Sequence, residues 1–222
     1  MVQNLSQPDI ASCSNQTWCL SFSLLNIVVE DENGTMLGRP MLAVLCDVYA
    51  SVISGYHLSL GEPNLRMTVA ALKHAILRKN YPLEDGFLGN WSIYGVPKIL
   101  LVDASTRWTS SNFAPLHHLL KRLGIGLVQR TALSAGTTIE RLLKGFSSRV
   151  DSLPLKSTGH LAAVEGHPRL TLAQLDRLLM RYIADEYNQS LHPRAHSQTR
   201  LERWQAGLAS SPKVLSEQDF EV

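Results

Sequence analysis

The stretch GRPMLAVLCDVYASVISGYHLSL, residues 38–60, holds two strand-forming runs with a short break between them. Met41 to Tyr49 is almost wholly apolar and predicts a buried strand. Ser51 to Leu60 follows at once with the same character. Upstream, Trp18 to Val29 is rich in β-forming residues, and Asn33-Gly34 after it is a strong turn signal. Together these predict three antiparallel strands. The longest apolar run, Pro40 to Ile53, is interrupted by Asp47 and Ser51 and falls short of the roughly 18 residues a membrane span needs.

Downstream the pattern changes period. Pro63 opens a helix whose apolar positions Val69, Leu72, Ala75 and Ile76 share one face, ending near Lys79. Ile99 to Val102 is a short apolar run closed by Asp103, as expected of a buried parallel strand with a polar tip. Ser110 or Ser111 caps a helix reaching Arg122. Gly124 ends it, and Ile125 to Gln129 is a further strand. Gly136 to Val150 is helical, Pro154 and Gly159 mark a loop, and Thr171 opens a helix carrying Leu172, Leu175, Leu178, Leu179 and Ile183. This order predicts an α/β, ribonuclease-H-like fold: a mixed five-stranded sheet flanked by helices, with a C-terminal helical extension. The expected divisions are an irregular segment 1–17, a core 18–160, the helical extension 161–208 and a tail 209–222.

Composition agrees with a globular chain. Its 222 residues carry a net charge of +2, with 45% hydrophobic and 18% charged residues. The N-terminus lacks the basic flank and apolar core of a signal peptide. Three cysteines, Cys13, Cys19 and Cys46, are an odd number without a CxxC, which supports neither a disulfide framework nor a cysteine zinc site and predicts a cytoplasmic location. Among the histidines, His192 and His196 have i,i+4 spacing, but Pro193 lies between them and no acidic partner follows. Trp18, Trp91 and Trp204 are expected to be packing residues.

The local wording resembles a known family. Residues 38–60 resemble the second and third strands of retroviral-integrase-type transposase cores, and ALKHAILRKNY (71–81) their first helix. NWSIYGVPKILLVDAS (90–105) resembles the segment carrying the second catalytic acid, and GTTIERLLKGF (136–146) the helix carrying the third. LTLAQLDRLLMRYIADEYNQSLHPRAHSQTRLERWQAGL (170–208) resembles the tail of that domain in Mu-type transposases, most closely the TnsB group.

The resemblance implies DDE-type chemistry, in which an Asp-Asp-Glu triad holds two Mg²⁺ ions. One ion activates water or a DNA 3′-hydroxyl and the other stabilises the leaving oxygen. The second acid falls on Asp103 and the third on Glu140, 37 positions later. The first falls on Ser21, in LSFS, where the family has Asp. A serine hydroxyl is neutral and cannot bridge two ions or supply the missing charge. Asp47 is a possible substitute, although the Asp in the corresponding second-strand wording is not a metal ligand in the family. Asn26 and Glu30 lie about 17 and 30 Å beyond Ser21 at roughly 3.3 Å per residue, too far to replace it. The segment after Asp103 and the approach to Glu140 also depart from the family's usual wording. The expectation is a core that kept its fold and lost its chemistry, with an active Mg²⁺-dependent DDE transposase as the alternative.

DNA is the implied partner, together with other transposition proteins or a second copy. Residues 121–156 hold seven basic side chains, Lys121, Arg122, Arg130, Arg141, Lys144, Arg149 and Lys156, against two acids, a local charge of +5. Arg107, beside Trp108, joins this set near the site. Two interpretations stand for these residues: phosphate contacts, or a solvated helix face with i,i+4 pairs. The end-recognition modules of active family members are expected to fall outside this chain.

Overall fold

The computed structural model describes residues 11–81, 91–103, 110–130, 136–152 and 169–220. In chain order its strands are β1 (Thr17–Leu24), β2 (Val29–Glu30), β3 (Met36–Gly38), β4 (Met41–Asp47), β5 (Ile53–Ser59), β6 (Ile99–Asp103), β7 (Gly126–Arg130), β8 (Leu170–Thr171), β9 (Leu191–His192) and β10 (Ala195–Thr199). Its α-helices are α1 (Leu65–Ile76), α2 (Ser110–Leu123), α3 (Gly136–Asp151), α4 (Leu172–Arg181) and α5 (Arg200–Ala206).

Five strands form the main sheet, in the order β5-β4-β1-β6-β7. β4 and β5 are antiparallel to their neighbours, whereas β6 pairs in parallel with both β1 and β7. This is the mixed five-stranded, helix-flanked α/β sheet of a ribonuclease-H-like fold. The strand alternation of β1 sorts its side chains into two layers. Trp18 and Leu20 pack with α1 and α2 through Met67, Leu72, Leu116 and Leu120. Cys19 packs in the opposite layer with α3 and α4 through Ile139, Leu142, Phe146 and Leu179. Trp18, Trp91 and Trp204 are all buried, as packing residues should be.

Capping explains the helix ends. Asn64, one residue after Pro63, accepts the Met67 N–H through its side chain and starts α1. The helix stops at Ile76 rather than near Lys79, where Leu77 turns to extended backbone (φ −74°, ψ 153°), and Lys79 Nζ donates back to the carbonyls of Ala75 (3.0 Å) and Ile93 (2.7 Å). Burial pushes that ammonium well below the usual lysine range. Thr171 and Gln174 form a capping box at α4. On β5, an edge strand, His74 Nδ1 accepts the Tyr56 N–H at 3.0 Å, so a side chain of α1 takes up an edge backbone donor.

Four features were not anticipated. β2, β3 and β8 make a separate small sheet around the Asp31–Thr35 turn, where Gly34 has φ +83°. α4 runs on into a π-helix, Tyr182–Tyr187. The region after it contains the β9–β10 hairpin as well as helix. There Asn188 Oδ1 accepts the Ile53 N–H and its Nδ2 donates to the Ile53 carbonyl, joining two segments 135 residues apart. Finally, Phe220 at the end of a short 3₁₀ helix, Glu217–Phe220, is buried in the α1–α2 layer.

Close backbone approach makes Gly55 indispensable. A Cβ added there would lie 2.5 Å from the backbone nitrogen of Ala75, so α1 itself would have to move off β5. A Cβ at Gly145 would meet the tip of the Tyr182 ring, which can swing aside. Gly55→Ala is therefore expected to cost about 3 kcal/mol and Gly145→Ala about 1 kcal/mol in urea unfolding. Equal midpoints for the two variants would contradict this packing.

Candidate active site

β1 and β6 fix the spatial relation of two of the three candidate positions. Their parallel register pairs Thr17 with Ile99, Trp18 with Leu100, Cys19 with Leu101 and Leu20 with Val102. The pairing ends there, and Ser21 and Asp103 are the next residue of each strand. Ser21 is half-buried, and its Oγ lies 3.9 Å from Cys19 Sγ, which places it on the α3 side of the sheet. Asp103 is the last residue of β6 and pairs with Arg130 of β7. The side chains of Asp103 and Arg130, and all of Arg107, lie outside the described residues.

α3 covers the same face. Ile139 and Leu142 pack into the layer that contains Cys19 and Leu101, and Glu140 between them is exposed. The first turn of α3 is tied to the π-helix: Tyr187 Oη donates to the Thr138 carbonyl at 3.1 Å. Tyr187 in turn lies under the Arg200 guanidinium, 4.3 Å from its ring centroid. Sequence periodicity gave no sign of this positioning role, because Tyr187 falls where the helical repeat breaks.

Asp47 is placed elsewhere. It pairs with Trp18, three residues before Ser21 and so about 10 Å from it along the strand. Its carboxylate is committed to local backbone: Oδ2 accepts the Asn15 N–H at 2.7 Å and Oδ1 the Ala50 N–H at 2.9 Å. These bonds hold the tight β4–β5 connection, in which Ser51 adopts φ +56°. Asp47 therefore builds a turn, with both carboxyl oxygens taken up by backbone N–H groups away from Ser21. His192 is likewise occupied, since its Nδ1 accepts the N–H groups of Arg194 and Ala195 across the hairpin turn.

The basic segment does not form one surface. Lys121 and Arg122 end α2, on one side of the sheet, and both are exposed. Arg141, Lys144 and Arg149 lie on α3, on the other side, and are also exposed. Arg149 Nε is 3.2 Å from Glu186 Oε1, so part of its charge is locally answered. Proximity in sequence concealed the division, because the chain crosses from one layer to the other through β7. Lys156 lies outside the described residues.

The profile of the TnsB C-terminal domain matches residues 23–154, more than half of the chain and most of the main sheet. The chain belongs to the TnsB C-terminal domain family. It is also 23% identical over 222 residues to the transposase for transposon Tn552 of Staphylococcus aureus, covering 95% of this chain and 42% of that protein. The chain thus spans about two fifths of the length of that relative. The profile match begins two residues after Ser21, so the family assignment does not rest on that position. Among the described residues no helix is long and apolar enough to cross a membrane.

Burial raises the Asp47 carboxyl from 3.8 to about 6, against the lowering effect of its backbone hydrogen bonds. Between those values the folded chain holds a proton that the unfolded chain has released. Stability relative to Asp47→Asn is therefore expected to fall as pH rises from about 4 to about 6, by up to about 3 kcal/mol, and to level off above. Urea midpoints of the two proteins across that range check it; a constant difference would show that Asp47 is ionised throughout.

Proposed function

We propose that this chain is a transposase core that acts in DNA transposition as a DNA-binding or assembly subunit, with metal-dependent strand transfer impaired by Ser21. The observation that carries this reading is the parallel β1–β6 pairing, which ends at Leu20 and Val102 and makes Ser21 and Asp103 the next residues of the two strands. The candidate set is then one hydroxyl and two carboxylates. A pair of Mg²⁺ ions needs a carboxylate that bridges them, along with several negative charges. Ser21 offers a neutral oxygen beside a buried thiol, so these residues do not fit a two-ion site.

What remains supports binding. α3 presents Arg141 and Lys144 to solvent on the layer that contains Ser21, where they would meet phosphate oxygens with strong salt dependence and little sequence discrimination. Arg149, its charge partly answered by Glu186, lies on the same helix. A cytoplasmic location fits a protein working on DNA. The presence of Asp103 and Glu140 favours the second reading, an active Mg²⁺-dependent DDE transposase whose first ligand comes from elsewhere.

A nicking and strand-transfer assay with Mg²⁺ or Mn²⁺ separates the two. The unaltered chain is expected to show no turnover, and Ser21→Asp to gain activity that Asp103→Ala then abolishes. Activity in the unaltered chain that is lost on Asp103→Ala would overturn the impaired reading.

A further inference from the structure

The acidic C-terminal segment lies on a basic face remote from α3. Neither α1 nor α2 contains an Asp or Glu, while between them they carry Arg66, Lys73, His117, His118, Lys121 and Arg122. The acids that meet this face come from the chain end. Lys73 Nζ is 2.7 Å from Glu217 Oε2, and Arg122 Nη2 donates to the Asp219 carbonyl at 3.1 Å. Arg122 also helps hold the Asp219 carboxyl below its usual range, after the larger effect of its hydrogen bonds from Ser216. The segment is held by apolar contact: Phe220 is buried and Leu215 packs beside it in the α1–α2 layer. A 3₁₀ turn fastened by an aromatic anchor thus bridges cations on two helices, through the Glu217 carboxylate and the Asp219 carbonyl.

We propose that the α1–α2 face is a second DNA-backbone surface, and that the segment Leu215–Phe220 covers it in competition with DNA. This rests on the DNA-binding function proposed above. It adds a separate surface, on the opposite side of the sheet from α3, and a device that controls it. When DNA displaces the segment, Glu217 and Asp219 leave Lys73 and Arg122 to phosphate oxygens, and no covalent change is needed.

Fluorescence anisotropy with a labelled random-sequence duplex, titrated over a range of salt, tests the proposal. Phe220→Ala releases the anchor. The pair Glu217→Gln with Asp219→Asn keeps the anchor and removes the competing charge, so one variant remains informative should the other fold poorly. Both are expected to bind about tenfold more tightly at low salt. The slope of log affinity against log salt should steepen by about 2, the yield of two added phosphate contacts. Lys73→Gln with Arg122→Gln, added to either variant, should return both quantities to those of the unaltered chain. Unchanged affinity in both variants would overturn the proposal while leaving binding through α3 intact, as would a gain that survives loss of Lys73 and Arg122. Absence of binding by every protein would overturn it together with the DNA-binding function.

Discussion

Everything in the candidate site depends on β1 pairing with two partners of opposite direction. On one edge it runs antiparallel to β4, and on the other parallel to β6. The first pairing commits the Asp47 end of the sheet to a tight turn. The second aligns Thr17–Leu20 of β1 with Ile99–Val102 of β6, and Ser21 and Asp103 follow as the next residues of the two strands. Because strand side chains alternate, a slip of one residue would carry Ser21 to the opposite layer. Trp18 and Leu20 are buried on one side and Cys19 on the other, so the register is held by both layers at once.

α3 is positioned by the part of the chain that follows it. Its buried stripe, Ile139, Leu142, Phe146 and Val150, supplies the apolar adhesion, while the Tyr187–Thr138 hydrogen bond ties down its first turn. Tyr187 is set by the π-helix and by Arg200. Arg200 Nη1 also donates to the carbonyls of Tyr187, Ser190 and Leu191, and to the Ser190 hydroxyl. The C-terminal region therefore supports the site from behind. The fold around position 21 is thus held by contacts that Ser21 does not make.

The main sheet was legible because its elements are long enough to show a period. β4 and β6 announce themselves as apolar runs closed by Asp, β7 follows the Gly124 that ends α2, and α1 and α4 show capping residues and a repeat of 3.6. The small sheet was not legible: β2 and β8 are two residues each and carry no alternation. Nor was the π-helix, because one wider turn looks like ordinary helix in a pattern of apolar positions. At the site, the strand-end position of Asp103 and the placement of Glu140 on α3 could be read directly. The division of the basic segment between two layers could not, since sequence order is silent about which side of a sheet each crossover takes. The role of Asp47 needed the structure too: its Asn15 and Ala50 partners are backbone groups, which leave no mark on residue identity.

The central claim is that a single neutral oxygen at Ser21 deprives the fold of its metal pair. Calorimetric titration with Mn²⁺ measures this without reference to turnover. The unaltered chain should take up no pair of ions in the micromolar range, whereas Ser21→Asp should bind two. Two ions bound with equal affinity by both proteins would contradict it.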